Sequence, residues 1–225
     1  MSVDAVKEDK VKPLEEHLSM AYSFVKTVLP KEIVGLIDTQ KDISWLVRPS
    51  NIESMKKNGE ADVIAYFVYK LSLLAIRRYV SANKIDQRTL ISSYFTRFPE
   101  ATSYLVTLMY AHGASFSDKE SIVAQMEKDI AEDMAFINLQ LKAGTLDYFY
   151  SFHELLRRSP NMANAPARLG MEIGASANEL WEYKSVLETA KIMLEVYKSY
   201  KDARLIGETI LYVLHNPHVM AENRK

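Results

Sequence analysis

The chain of 225 residues is long enough to bury the core of one large domain, and 48% hydrophobic with 25% charged residues is the composition of an ordinary globular protein. It has no cysteine, which excludes disulfides, thiolate catalysis, iron–sulfur clusters and cysteine-ligated zinc; seven glycines and seven prolines leave little material for the turns of an all-β fold. The formal net charge of −1 conceals an uneven layout, basic over residues 70 to 98 and acidic over 117 to 135. Such blocks make either two patches for two partners or two neighbouring helices that pair with each other.

In chain order, the opening MSVDAVKEDKVKPLEEH has no apolar core and is not read as a signal peptide. A helix follows Pro13, with Leu14, Leu18, Ala21, Val25 and Val28 on one face, and Pro30 either ends it or starts the short segment KEIVGLID. TQKDISWLV reads as an extended piece or a loop. Ser50 and Glu53 form a capping-box pattern before a short helix that Gly59 stops. From about Glu60 to Asn83 the apolar positions Val63, Ile64, Phe67, Val68, Leu71, Leu74 and Ala75 wrap most of the way round a helix, which places it in the domain centre.

Asp86 is the expected N-cap of a helix to Phe98, and Pro99 fits the first turn of another that Gly113 closes. Ser117 and Glu120 give a second capping box, opening a helix without a breaker until Gly144. LDYFYSFHELLRR reads as helix. Residues 159 to 176, with two prolines and two glycines, are the clearest break. Ser176 and Glu179 then cap a helix with Leu180, Tyr183, Leu187, Ala190, Leu194 and Tyr197 on one face. A last helix holds ARLIGETILYVL before Pro217. The fold class is all-α: a compact multi-helix bundle of about eight helices in a single domain 1–225, with a sub-boundary at 159–176 before a C-terminal hairpin at 177–215.

Catalytic and metal signatures are missing. None of the five histidines belongs to a Glu-x-x-His or His-Glu-x-x-His pair, and His215 with His218 flank Pro217 near the C-terminus. Asp129, Glu132 and Asp133 in DIAED read as a charged solvent face, since diphosphate chemistry needs two facing aspartate clusters. No phosphate loop or Gly-x-Ser-x-Gly appears. No catalytic residue, metal ligand or cofactor is assigned. Tyr150, His153 and Arg157 can share one helical face and are the candidate pocket residues; packing between helices is the other account of them.

Nucleic-acid binding needs cations against phosphate and aromatic faces for unpaired bases. AIRRYVSANKIDQRTLISSYFTRF, residues 75 to 98, has both kinds. Its aromatics Tyr94 and Phe98 fall with Leu90 and Ile91 on a core-facing stripe. The candidate contacts are therefore the cations Arg77, Arg78, Lys84 and Arg88.

Several stretches resemble the N-terminal, mostly helical domain of the large subunit of archaeal and eukaryotic DNA primase. YSFVK at 22 to 26 is similar to an aromatic-Pro-Phe element near the start of that domain, with Ser23 in place of proline. AYFVYKLSLLAI at 65 to 76 and RFPEATSYLV at 97 to 106 resemble a buried helix and a later basic helix containing Glu-Ala. ARLGMEIGASANEL lies where the family has a lysine- or tryptophan-bearing segment, and departs from it. The family's cysteine-ligated iron–sulfur domain has no counterpart here. The resemblance touches about a third of the chain and implies a detached scaffold domain that holds a catalytic subunit and nucleic acid without polymerase chemistry; it carries over no individual residue.

The expected function is that of a non-catalytic helical scaffold or interaction subunit, in a nucleic-acid-processing assembly on the primase-like reading. Its partner would be another protein or a second copy, and nucleic acid is a further candidate. The alternative is an all-α enzyme or small-molecule binder with a pocket between helices. With no apolar run of about 18 residues, no membrane partner is expected, and the expected compartment is the cytoplasm.

Overall fold

The computed structural model describes residues 14–46, 49–85, 97–112, 118–142, 160–171, 175–199, 206–216 and 218–219. Among them every regular element is a helix, as the composition requires. In chain order these are α1 (Leu14–Val28), α2 (Lys31–Val34), α3 (Thr39–Leu46), α4 (Pro49–Lys56), α5 (Glu60–Ala82), α6 (Phe98–His112) and α7 (Lys119–Lys142). A 3₁₀ turn (Pro160–Asn164) leads into the short α8 (Ala165–Arg168), followed by α9 (Ala177–Ser199) and α10 (Ile206–His215). No helix among the described residues is long and apolar enough to cross a membrane.

The domain is built around α5. Its near-continuous apolar surface is buried from Asp62 to Ile76, because α1, α2, α3, α4, α6 and α8 all pack against it. The one-sided stripe of α1 does what its spacing predicts: Leu18, Ala21, Val25 and Val28 are buried. The edge of Phe24 meets the ring of Tyr110, with centroids 5.1 Å apart, and ties α1 to α6. A second layer forms where α6, α7 and α9 pack on one another, and α10 closes against α6 and α9. Leu180, Leu187, Ala190, Leu194 and Tyr197 of α9 face this core.

Local signals set several boundaries. The capping box at Ser176 is formed in full: Glu179 N–H donates to Ser176 Oγ (3.3 Å), and Ser176 N–H donates to Glu179 Oε2 (2.6 Å). At α7 the cap is Asp118, whose Oδ1 accepts from Ser121 N–H at 2.8 Å; Ser117 lies outside the described residues. Residues 39 to 46, expected as an extended piece or loop, are helical. Asp42 Oδ2 accepts the Asp38 N–H at 3.0 Å, and Asp42 also receives an arginine from α5. That long-range pairing is invisible to local pattern. The expected helices at 86–98 and 145–158 fall mostly outside the described residues.

Gly207 shows how closely α10 approaches the end of α1. A Cβ there would overlap the carbonyl oxygen of Val28 and lie 2.8 Å from Pro30 Cδ. Gly207→Ala is therefore expected to lower stability by about 2 kcal/mol, as overpacking of a fixed core does. Urea unfolding checks this, with a lowered midpoint at unchanged slope as the expected result.

Candidate functional site

Of the cations proposed from sequence, Arg77 and Arg78 turn to different neighbours. Arg77 and Arg78 leave α5 about 100° apart, as successive helical residues must. Arg78 makes a forked pair with Asp42 of α3, at 2.7 and 2.8 Å, and also donates to the Leu36 carbonyl (2.8 Å). The Asp42 hydrogen bonds hold its guanidinium even more firmly protonated than usual. Arg77 turns the other way and pairs with Glu100 of α6. Lys84 is exposed in the turn after α5, with its backbone in the left-handed region at φ 52°. Arg88 lies outside the described residues, as do Tyr150, His153 and Arg157. Described members of the basic and acidic blocks reach other elements: Arg97 meets Glu182 of α9 at 2.6 Å, and Glu127 of α7 meets Lys198 at 2.6 Å.

The carboxylates of DIAED correct the solvent-face expectation. Asp129 and Asp133 are 1% and 0% exposed. One helical turn apart, they point inward together. Asp133 takes Arg168 side-on, with Nε donating to Oδ2 at 2.9 Å and Nη2 to Oδ1, while the Tyr104 hydroxyl donates to Oδ2 at 2.8 Å. Asp129 receives Gln125 Nε2 at 3.1 Å and contacts His112 Nε2. Burial pushes the Asp133 carboxyl up while Arg168 and Tyr104 pull it back. Burial likewise drives the Tyr104 phenol well up, helped by Asp133. Both aspartates thus find hydrogen-bond partners inside the cluster. Among the described residues no group of His, Asp and Glu is arranged to hold a metal ion. The cluster is a structural tie.

Among the described residues, two surface features stand out as hollows. One is a furrow along the outer seam of α7 and α9. It is made of two adjoining hollows of about 690 and 460 Å³ that share Glu127. Val123, Ala124, Ile130, Ala131, Met134 and Leu194 form its floor and walls. Its rim carries five carboxylates (Asp118, Glu120, Glu127, Glu188, Glu195) against three lysines. Of these lysines, Lys198 bonds Glu127 and Glu195, and Lys119 donates to the Tyr197 carbonyl at 2.8 Å with its ammonium 4.3 Å from the Tyr197 ring centre. The other feature is a polar cleft of about 360 Å³ between α5, the start of α6 and the start of α9, lined by Arg77, Arg97, Glu100 and Glu182 among others.

Sequence reasoning missed both. The furrow stripe, Glu120, Val123, Glu127, Ala131 and Met134, follows helical spacing and was available as a pattern. Its meaning was not, because an apolar stripe on a helix is ordinarily core. Nothing local marked the cleft, since its residues come from three separate helices.

No family model, curated protein or solved structure matches this chain.

If Arg168 and Asp133 act as one buried pair, removing either partner strands the other's charge. Asp133→Leu or Arg168→Met alone is expected to cost about 3–5 kcal/mol. The double variant should lose clearly less than the sum of the two. Denaturant titration of all four proteins closes the cycle.

Proposed function

We propose that this chain is a non-catalytic helical interaction subunit, and that its docking surface is the α7–α9 furrow. The proposed occupant is an amphipathic helix of a partner protein, with basic residues flanking its apolar stripe. The observation that carries the reading is the furrow itself: apolar at its base, acidic along its edges and lined by residues of two packed helices. From Glu120 to Met134 the α7 wall runs roughly 21 Å, the length of a helical segment of about four turns. Helices dock in such grooves through side chains at i, i+3, i+4 and i+7.

The rim argues for the sign of the partner. An excess of carboxylates rejects an acidic helix and attracts a basic one. It argues equally against a second copy of the chain, because a two-fold contact would set the same acidic rims against each other. The primase-like resemblance implies similar work, the holding of another subunit. Arg77 and Arg78 are each matched to a carboxylate, which leaves the apolar furrow as the better-supported contact surface than the basic stretch.

The test uses a labelled 16-residue helical peptide with Leu and Met on one face and Lys and Arg beside it, and a control with Glu in place of every basic residue. Anisotropy should show binding of the basic peptide alone. Ala131→Arg, at an exposed position, should weaken it at least tenfold without changing the far-ultraviolet spectrum. Equal binding of both peptides, none by either, or indifference to Ala131→Arg would sink the proposal. Dimerisation in sedimentation that Ala131→Arg abolishes would also sink it, by making a second copy the occupant.

A further inference from the structure

The cleft at the other face of α9 has a construction that neither the helix packing nor the furrow accounts for. Arg77 and Arg97 both turn toward the same oxygen of Glu100, Oε1; Arg77 pairs with it closely and Arg97 Nη1 lies 3.8 Å away. Glu100 is buried, and no described residue bonds its second oxygen, Oε2. Two guanidinium charges thus lean on one carboxylate, in a hollow that Lys70 also lines. Arg97 is also met by Glu182, which reaches its Nη2 from α9 at 2.6 Å. That carboxylate is weakly held: its side chain is 53% exposed, and an exposed ion pair is worth only about 0–1 kcal/mol. Glu179, farther along the same wall, is occupied with the Ser176 cap.

Gly170 has φ 58°, and the Tyr69 ring lies where its Cβ would be, so the ring can settle against the backbone only because position 170 is glycine. Burial, and then Tyr183 and Glu100, push the Tyr69 phenol well up, so it lines the cleft as a neutral hydroxyl. Tyr183, Leu73 and Val186 supply apolar wall. At about 360 Å³ the hollow falls at the small end of ligand pockets, roughly 300–1,000 Å³.

We infer that this cleft is a binding site for a small organic carboxylate, aromatic or branched in its body, whose carboxylate takes the place of Glu182 on Arg97. Glu182 is the resident stand-in for the ligand, and its displacement exchanges one carboxylate for another on the planar fork of an arginine. The body of the ligand lies against Tyr69, Tyr183 and Val186. The site is independent of the furrow, which uses the opposite stripe of α9, so either proposal can fail alone.

Trp181, 57% exposed and adjacent to Glu182, is a built-in reporter once the only other tryptophan is removed as Trp45→Phe. Benzoate is titrated at constant ionic strength, with acetate, inorganic phosphate and chloride as comparison probes. Saturable quenching or enhancement by benzoate is expected, at lower concentration than for acetate, phosphate or chloride. Glu182→Gln, a surface change, should tighten benzoate binding about fivefold or more by removing the competitor. Tyr69→Phe should weaken it, and Arg97→Gln should weaken it at least tenfold. The inference is overturned if benzoate gives no saturable change, if phosphate or chloride competes on equal terms, or if Glu182→Gln leaves the affinity unchanged. Nuclear magnetic resonance shifts confined to Tyr69, Arg97 and Val186 would place the ligand in the cleft; shifts elsewhere would overturn the assignment.

Discussion

A guanidinium and a carboxylate withdrawn from water must satisfy each other on the spot, and the pairing of Arg168 with Asp133 is the constraint around which the middle of this domain is arranged. Asp133 sits on α7, Arg168 ends α8, and Tyr104 reaches the same carboxylate from α6. One buried charge thereby fixes three chain segments relative to one another. Burial weakens the Arg168 guanidinium's hold on its proton, and the Asp133 carboxylate more than restores it, so the pair stays charged. One turn earlier Asp129, held by Gln125 and His112, repeats the inward orientation. Two adjacent inward carboxylates leave α7 little freedom to rotate about its axis.

That rotational setting decides what α7 shows to the outside. With Asp129, Asp133, Met126 and Ile137 turned in, the stripe of Val123, Ala124, Ala131 and Met134 falls on the seam with α9. Glu120 and Glu127 are left to line its rim. The furrow is in this sense a consequence of the buried charge. A helix whose aspartates faced solvent would have turned its apolar stripe inward, and no groove would remain.

Two faces of α9 serve different neighbourhoods. Residues 182, 183 and 186 look into the polar cleft beside α5, while 188, 191 and 195 edge the furrow beside α7. The third stripe, with Leu187, Ala190 and Leu194, fills the core between them. Among the described residues, members of the charge blocks pair with several different elements. The basic residues of α5 are distributed to α3 and α6, and the acids of α7 go to α6, α8 and α9. These particular ion pairs join elements that are distant in sequence, a pairing that counting charge along the chain does not reveal.

The all-α class, the position of α5 at the centre, the buried stripes of α1 and α9 and the Ser176 cap were all determined by the sequence alone. Each rests on short-range physics: propensity, the 3.6-residue period, or a hydrogen bond across one turn. What only the tertiary structure decided is which polar groups are taken out of water. DIAED has the composition of a surface, and its Asp133 became interior because Arg168, 35 residues later, is brought to meet it. The Glu100 cleft needs residues from positions 69 to 186 at once. Burial of a charge is a property of its partner's position as much as of its own, and that position is settled by packing across the whole chain.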